Sequence, residues 1–279
     1  ARAGALATSG ARAAPLEAYG QLPFIEQVKV SPDGGRIAVA ASDGGLRTLV
    51  VRDLADGSSK TYPLGAVKLR RIDWLGPDRL IITASQTSTI PNLIAPRREY
   101  SLGYELDLTK NKFAPLLQYA PGGAQTGTNI RKADTGRVSG SLNILAGPPE
   151  VRTVNGSPTL FLTGVSFPSN QGVLTVFRVD PRSDTPLIAA LGGENTRDFV
   201  LDEAGQPVAE ATYDIDKGRW ALRMRQGGSW KEIRVAQAKT EFPQLSGLGR
   251  DGRSVVVSEF ADQGELVREV SFDGVWSEP

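Results

Sequence analysis

Apolar and polar residues alternate along most of the chain in short runs. One such run, Val28-Lys29-Val30, is separated from residues 36–40 by the sequence Ser-Pro-Asp-Gly-Gly. Two more runs, residues 48–52 and 60–62, follow after further Asp- and Gly-containing breaks. Alternation with a period of two, interrupted by Gly, Asp and Pro, is typical of β-strands joined by tight turns. Residues 28–62 therefore predict four antiparallel strands connected by hairpins.

The same unit recurs along the chain. The acidic residues at equivalent turns are Asp33, Asp78, Glu203 and Asp251. Successive members of this set are 45, 125 and 48 residues apart. The long step leaves room for one further unit around residues 151–154, with a turn at Asn155-Gly156. Four-stranded repeats with a period of roughly 40–50 residues are typical of β-propeller blades. The sequence predicts an all-β propeller with about five four-stranded antiparallel blades over residues 28–279.

The two ends of the sequence differ from this repeat. Residues 1–27 are predicted to be a flexible lead-in, and Ala11-Arg12-Ala13-Ala14 has the small-x-small pattern of a signal-peptidase site. This pattern favours a periplasmic or secreted protein, although a disordered tail with no targeting role accounts for it equally well. The last strand-forming run, residues 272–276, has no evident closing strand, so we expect the propeller to be incomplete.

Composition limits the chemistry available to this chain. It has no histidine and no cysteine, so it contains neither a complete Ser-His-Asp triad nor a Cys/His zinc site. Lys and Arg total 32 against 31 Asp and Glu, a balance that argues against nucleic-acid binding. No run approaches the ~18 apolar residues of a membrane span. We expect no catalytic residue, metal or cofactor in the chain, and its binding residues stay unassigned.

Residues 214–218 offer two carboxylates two positions apart, as in a calcium loop. Gly218 stands where the third oxygen ligand is needed, so the pattern favours an ordinary hairpin turn. The neighbouring run alternates, which puts Arg223 and Arg225 on the face opposite Trp220, Leu222 and Met224. The two arginines are therefore predicted to lie on the solvated side of a strand.

Two polar stretches, residues 84–100 and 121–128, are longer than hairpin turns require. Long loops on a rigid scaffold are frequent binding sites, and the alternative is an insertion that covers the propeller edge. Arg97, Arg98 and Glu99 form the charge cluster in the first stretch. A second basic cluster, centred on Arg70, is predicted to be a solvated strand or loop.

The turn and strand at residues 31–38, Ser-Pro-Asp-Gly-Gly-Arg-Ile-Ala, resemble the blade signature of TolB and dipeptidyl-peptidase propellers. Residues 15–30 are similar to the mature start of bacterial serine peptidases of the prolyl-oligopeptidase family (S9). That resemblance implies a two-domain enzyme, in which a propeller covers a C-terminal α/β-hydrolase domain and filters peptides by size. In some members, propeller loops also hold the free amino terminus of the peptide with acidic residues.

This sequence departs from that family in two ways. It contains no hydrolase domain, so no catalytic residue is carried over, and it has no adjacent glutamates that match the amino-terminus clamp. The resemblance implies a non-catalytic propeller that gates peptide access and docks on the hydrolase domain, partly through Leu22, Phe24 and Ile25.

Two alternatives stay open from the sequence. One is a self-sufficient TolB-like binding module of the cell envelope. The other is a glycoside hydrolase, because residues 31–35 match the first half of a sialidase Asp box, although Ala38 occupies its aromatic position.

Overall fold

The computed structural model of the chain describes residues 20, 23–88, 97–117, 120, 143–168, 172–180, 185–239, 241–261 and 264–278. These residues form twenty β-strands, nearly all in antiparallel hairpins, and they include no helix. The described part of the chain accordingly has no helix of the length and apolarity needed to cross a membrane. The predicted all-β class is confirmed.

The first blade is a sheet of four strands in chain order, namely β1 (Ile25–Val30), β2 (Arg36–Asp43), β3 (Leu46–Asp53) and β4 (Ser59–Gly65). Its first turn depends on Gly34, whose φ of 71° lies in the left-handed region that favours glycine. Ser31 and Asp33 close the same turn, since the Ser31 hydroxyl donates to Asp33 Oδ1 at 2.6 Å. The Asp33 carboxylate of the Asp-box-like sequence therefore serves the turn itself.

The second and third blades share one sheet. The second contains β5 (Lys68–Trp74), β6 (Arg79–Ser88), β7 (Arg98–Asp107) and β8 (Lys112–Pro115). The two-residue strand β9 (Ile144–Leu145) pairs with β7 on one side and with the third blade on the other. The third blade contains β10 (Glu150–Val154), β11 (Ser157–Ser166), β12 (Val173–Val179) and β13 (Leu187–Leu191).

The fourth and fifth blades follow without an insertion. The fourth is a four-stranded sheet of β14 (Thr196–Leu201), β15 (Pro207–Asp214), β16 (Arg219–Gln226) and β17 (Ser229–Gln237). The fifth has three strands, β18 (Gln244–Leu248), β19 (Ser254–Ala261) and β20 (Gly264–Ser271). A single bridge joins Val270 to Trp276 beside β20. The predicted number of about five blades is confirmed.

The intervening blade also lies where the sequence places it. Asn155 and Gly156 join β10 to β11 with φ values of 51° and 74°, which is the left-handed pair of a type I′ hairpin. The first strand begins at Ile25, three residues before the predicted start of the blades at Val28. The N-terminal segment before residue 20 lies outside the described residues, so its predicted role as a lead-in stays a prediction.

The first polar stretch differs from the predicted long loop. Ser85 pairs with Ser101 and Thr87 with Glu99, so both ends of residues 84–100 extend the hairpin of β6 and β7. The polar composition misled the prediction because an extended hairpin needs no apolar face where it projects beyond the core. Residues 89–96 of this stretch, and all of residues 121–128, lie outside the described part of the chain.

Four buried apolar clusters lie between consecutive blades. The first joins the first and second blades around Leu49 and Ile72. The second joins the second and third blades around Ile81 and Leu160. A smaller cluster lies between the third and fourth blades, and a larger one lies between the fourth and fifth. Each sheet thus buries apolar residues on its contact faces, as stacked propeller blades require.

Candidate functional site

At two junctions between consecutive blades, the first strands lie beside one another. Strand β1 contacts β5, and β14 contacts β18. Because blades of a propeller surround a central channel, these first strands form the inner edge of the arc. Two cavities with charged linings include residues of these strands, namely Arg70 and Arg71 of β5 in one and Arg197 and Asp198 of β14 in the other. Both are also bounded by residues 146–148, which lie between β9 and β10.

The smaller inner cavity has a volume of about 220 Å³ and is called the Asp198 cavity here. Its charged lining residues are Glu150, Arg152, Arg197 and Asp198, and it lies between the third, fourth and fifth blades. Strand β14 brings Asp198 to the cavity, and the Asp198 carboxylate accepts the Phe199 amide at 2.8 Å. Burial raises the pKa of Asp198, and the nearby Glu150 carboxylate raises it further.

The other acid of this cavity, Glu150, forms an ion pair with Arg152. Its Nε donates to Glu150 Oε2 at 3.1 Å, while its Nη1 donates to the carbonyl oxygens of Leu201 at 3.0 Å and Asp202 at 2.5 Å. Arg152 thereby ties β10 of the third blade to the end of β14 in the fourth. Among the described residues, no cation forms an ion pair with Asp198. The cavity therefore holds one compensated and one uncompensated carboxylate.

The larger inner cavity has a volume of about 550 Å³ and is called the Arg70 cavity. Glu99 at its wall accepts hydrogen bonds from the Ser85 hydroxyl at 2.7 Å, from the Arg70 guanidinium and from Lys68 Nζ at 3.3 Å. The Ser85 bond and the two cations hold the pKa of Glu99 at about 2. The predicted charge cluster is therefore divided, because Glu99 faces this cavity while Arg97 lines another.

The basic clusters are exposed, as predicted, but they are not isolated charges. Arg71 pairs with Asp73, and Arg70 pairs with Glu99. Arg223 donates to Glu210 Oε2 at 2.8 Å, and the Glu210 side chain is only 4% exposed. The predicted solvated face thus holds for Arg225, which is exposed, whereas Arg223 is half-buried and paired with Glu210.

The segment considered as a calcium loop is a hairpin turn. The Asp214 carboxylate accepts the Lys217 amide at 3.1 Å and Lys217 Nζ at 2.7 Å, which leaves it occupied by its own turn. Within the described residues, no group of three or more potential ligands is arranged to hold a metal ion. The predicted hairpin is confirmed by the pairing of β15 with β16.

Sequence reasoning did not single out Glu150, Arg152 or Asp198. A signal was present in one case, because aspartate is depleted in strands and Asp198 directly precedes the strand-forming run Phe199-Val200-Leu201, inside β14. The other two lie in an alternating run, where charged residues are ordinary on an exposed face. What brings the three together is the packing of separate blades, which a single sequence does not display.

Comparison with known proteins supports the fold. No family model matches this chain, and no curated protein matches it. Among solved structures, dipeptidyl peptidase 4 of Porphyromonas gingivalis matches 92% of this chain and 39% of its own, with 10% identity and a TM-score of 0.51.

Two other matches have lower TM-scores. Acylaminoacyl peptidase of Pyrococcus horikoshii matches 92% of this chain and 39% of its own, with 11% identity and a TM-score of 0.42. TolB of Acinetobacter baumannii matches 90% of this chain and 53% of its own, with 15% identity and a TM-score of 0.37. This chain therefore spans between 39% and 53% of the length of these solved chains. At such identities, the likeness to dipeptidyl peptidase 4 shows a shared fold.

Proposed function

We propose that this chain is the non-catalytic propeller portion of an exported serine peptidase of the prolyl-oligopeptidase family. Its role is to gate the access of peptides to an α/β-hydrolase domain and to dock on that domain. The observation that carries the proposal is the pair of charged cavities at the inner edge of the blades, in a chain without a histidine base. The fold shared with a dipeptidyl peptidase supports the same assignment.

The inner edge is suited to peptide contacts because its charges are fixed by the scaffold. Arg152 is held by backbone carbonyls of the next blade, and Glu99 is held by a hydroxyl and two cations. Asp198 is left to interact with donors that enter the cavity. A peptide that moves along this edge exposes backbone N–H groups and charged termini, for which such fixed charges are selective partners.

The docking surface is supported by the exposed start of β1. Phe24 is 70% exposed and Ile25 is 53% exposed, and Val28 and Val30 continue the exposed apolar row. Exposed apolar patches of this kind mark contacts with other protein surfaces. Leu22, the third residue expected there, lies outside the described residues.

Two measurements test the catalytic division of labour. The isolated 279-residue chain should not turn over peptide or ester substrates, so measurable hydrolysis would contradict the proposal. The native gene should encode Gly-x-Ser-x-Gly followed by Asp and His downstream of this segment. If the gene encodes no such domain, the gating proposal fails and a self-sufficient binding module takes its place.

The gating role is tested in the full gene product with D198N and E150Q. We expect each to change KM for oligopeptides several-fold while hydrolysis of a small chromogenic ester is unchanged, because the ester need not contact the inner edge. R225A is the matched control, since Arg225 lies on the exposed end of β16 away from both cavities. Equal effects on peptide and ester, or no effect on either, would argue against gating by these residues.

A further inference from the structure

A third cavity lies between the first and second blades. Its volume is about 750 Å³, and it is bordered by the end of β4, the connection to β5, and strands β6 to β8. Its large apolar lining residues are Leu64, Val67, Ile82, Leu102, Tyr104 and Phe113. We call it the Phe113 cavity. Ligand cavities for small molecules have volumes of about 300–1,000 Å³ and mostly apolar walls, and this one has both properties.

The apolar walls of this cavity are continuous with the core but incompletely covered. Leu64 and Tyr104 pack at the edge of the cluster between the first and second blades. Val67 and Phe113 are exposed, at 37% and 39%. Large apolar side chains at that exposure, arranged around a common space, favour an apolar occupant.

A buried hydroxyl adjoins the same wall. The Tyr62 ring contacts Phe113 edge-on, with 6.1 Å between ring centroids. Tyr62 is buried, and its hydroxyl has no hydrogen-bond partner among the described residues. Tyr62 is not among the residues that line the cavity, so its buried hydroxyl supports the packing behind Phe113 and is not counted as a ligand contact.

The rim of the cavity is cationic. Arg97 and Lys68 both line it, and no described acid pairs with Arg97. Lys68 makes one 3.3 Å contact with Glu99, which is shared with Arg70. The other polar rim residues, Ser85, Gln86 and Thr87, carry no formal charge. The rim thus complements a negative charge at one end of an otherwise apolar molecule.

We propose that the Phe113 cavity binds a small amphipathic anion, with an apolar chain against Leu102 and Phe113 and an anionic group at Arg97. The cavity adjoins the Arg70 cavity at Ser85, which lines both, but its apolar walls belong to it alone. The inference therefore stands whether or not the chain belongs to a peptidase. A medium-chain carboxylate such as decanoate has the required chemistry and is the probe for the test.

The test is calorimetric titration of the 279-residue chain with decanoate, 1-decanol and acetate. We expect saturable binding of decanoate, weaker binding of 1-decanol by about tenfold, and no binding of acetate. R97A should weaken decanoate binding about tenfold and leave 1-decanol unchanged. Q86E, which adds a negative charge to the rim without a change of size, should weaken decanoate binding to a similar extent.

Q206E is the matched control, because Gln206 lies in the turn before β15, far from this cavity in the sequence of blades. It should bind decanoate as the parent chain does. Unchanged denaturation midpoints would show that the variants are folded. The proposal is overturned if decanoate does not saturate a site, if 1-decanol binds as tightly as decanoate, or if R97A and Q86E bind decanoate like Q206E.

Discussion

The two faces of the fourth blade differ sharply in chemistry. Towards the fifth blade, β16 presents Trp220, Leu222 and Met224, all fully buried against an apolar cluster. On its opposite face, the same strand presents Arg223, which pairs with the buried Glu210. The apolar cluster on that side is smaller, and its members are Val154, Phe161, Val176, Ala190 and Leu201.

The two faces therefore have different roles: the apolar face stabilises the packing of the blades, and the charged face makes directed contacts. The apolar face is stabilised by burial, which is strong and non-directional. The charged face depends on directed bonds, such as those of Arg152 to the carbonyl oxygens of the fourth blade. Directed bonds leave space between the sheets, and the Asp198 cavity occupies that space. One sheet therefore fixes its neighbour on one side and lines a cavity on the other.

The largest expected effect is at the apolar face. W220A should lower the free energy of unfolding by about 3–5 kcal/mol, because it removes a fully buried aromatic side chain and leaves a void. Urea denaturation followed by circular dichroism measures it.

W220F is the matched variant for this change. It keeps most of the buried ring and removes the indole N–H, which has no partner among the described residues, so its effect should be under about 2 kcal/mol. W230A, at a half-buried position on the opposite face, should also be milder. If W230A proved as destabilising as W220A, the two faces would not differ as argued.

The next effect is steric, at the contact between the third and fourth blades. Gly205 has a φ of 77°, and a Cβ there would lie 2.1 Å from Cζ of Phe161. G205A should therefore destabilise the chain by about 2–4 kcal/mol, from overpacking and from the left-handed backbone together.

G227A isolates the backbone contribution. Gly227 has a φ of 57°, but a Cβ added there would have no atom within 4 Å, so only the conformational cost of about 1–2 kcal/mol should appear. Equal losses of unfolding free energy in the two variants would show that a Cβ at residue 205 does not clash with Phe161.

Much of this fold follows from the sequence because it is local. The hairpin at Asn155-Gly156 is specified by two residues that tolerate positive φ, and the run around Trp220 shows its buried face by alternation. Turn chemistry and period-two patterns act over a few residues, so they are legible without a structure.

The candidate sites were less predictable because they depend on contacts between blades. Glu210 and Arg223 are 13 residues apart on paired strands, and the Glu210 side chain is only 4% exposed. Asp198 and Glu150 meet only because β10 and β14 belong to adjacent blades. Nothing in the local pattern around Arg223 distinguishes a solvated strand face from one that holds a buried carboxylate.

A third prediction concerns that covered ion pair. R223M leaves the Glu210 carboxylate buried without its cation, which should destabilise the chain by about 1–3 kcal/mol. This loss is below the ~3–5 kcal/mol typical of a fully buried pair because the Arg223 side chain is 35% exposed and partly solvated. The double variant E210L/R223M should recover most of the loss, because it removes both charges. Urea denaturation of E210L, R223M and the double variant measures the coupling between the two residues. Additive losses would mean that the two residues act independently.

The smallest effect is a change in pH dependence at the Asp198 cavity. Burial raises the pKa of Asp198 in the folded chain, so the folded state binds this proton more tightly than the unfolded state and stability falls as the pH rises through that range. D198N should flatten this decline and unfold at a higher urea concentration than the parent chain at about pH 7.

D107N should change the pH dependence of stability in the opposite direction. Although burial opposes it, hydrogen bonds from Thr109 and Lys110 hold the pKa of Asp107 at about 2, so its stabilisation is present at neutral pH and is lost as the pH falls below about 4. D107N should therefore be less stable than the parent at neutral pH. Urea midpoints from about pH 3 to about pH 7 compare the variants, and a D198N profile parallel to that of the parent would show that Asp198 is not desolvated in its cavity.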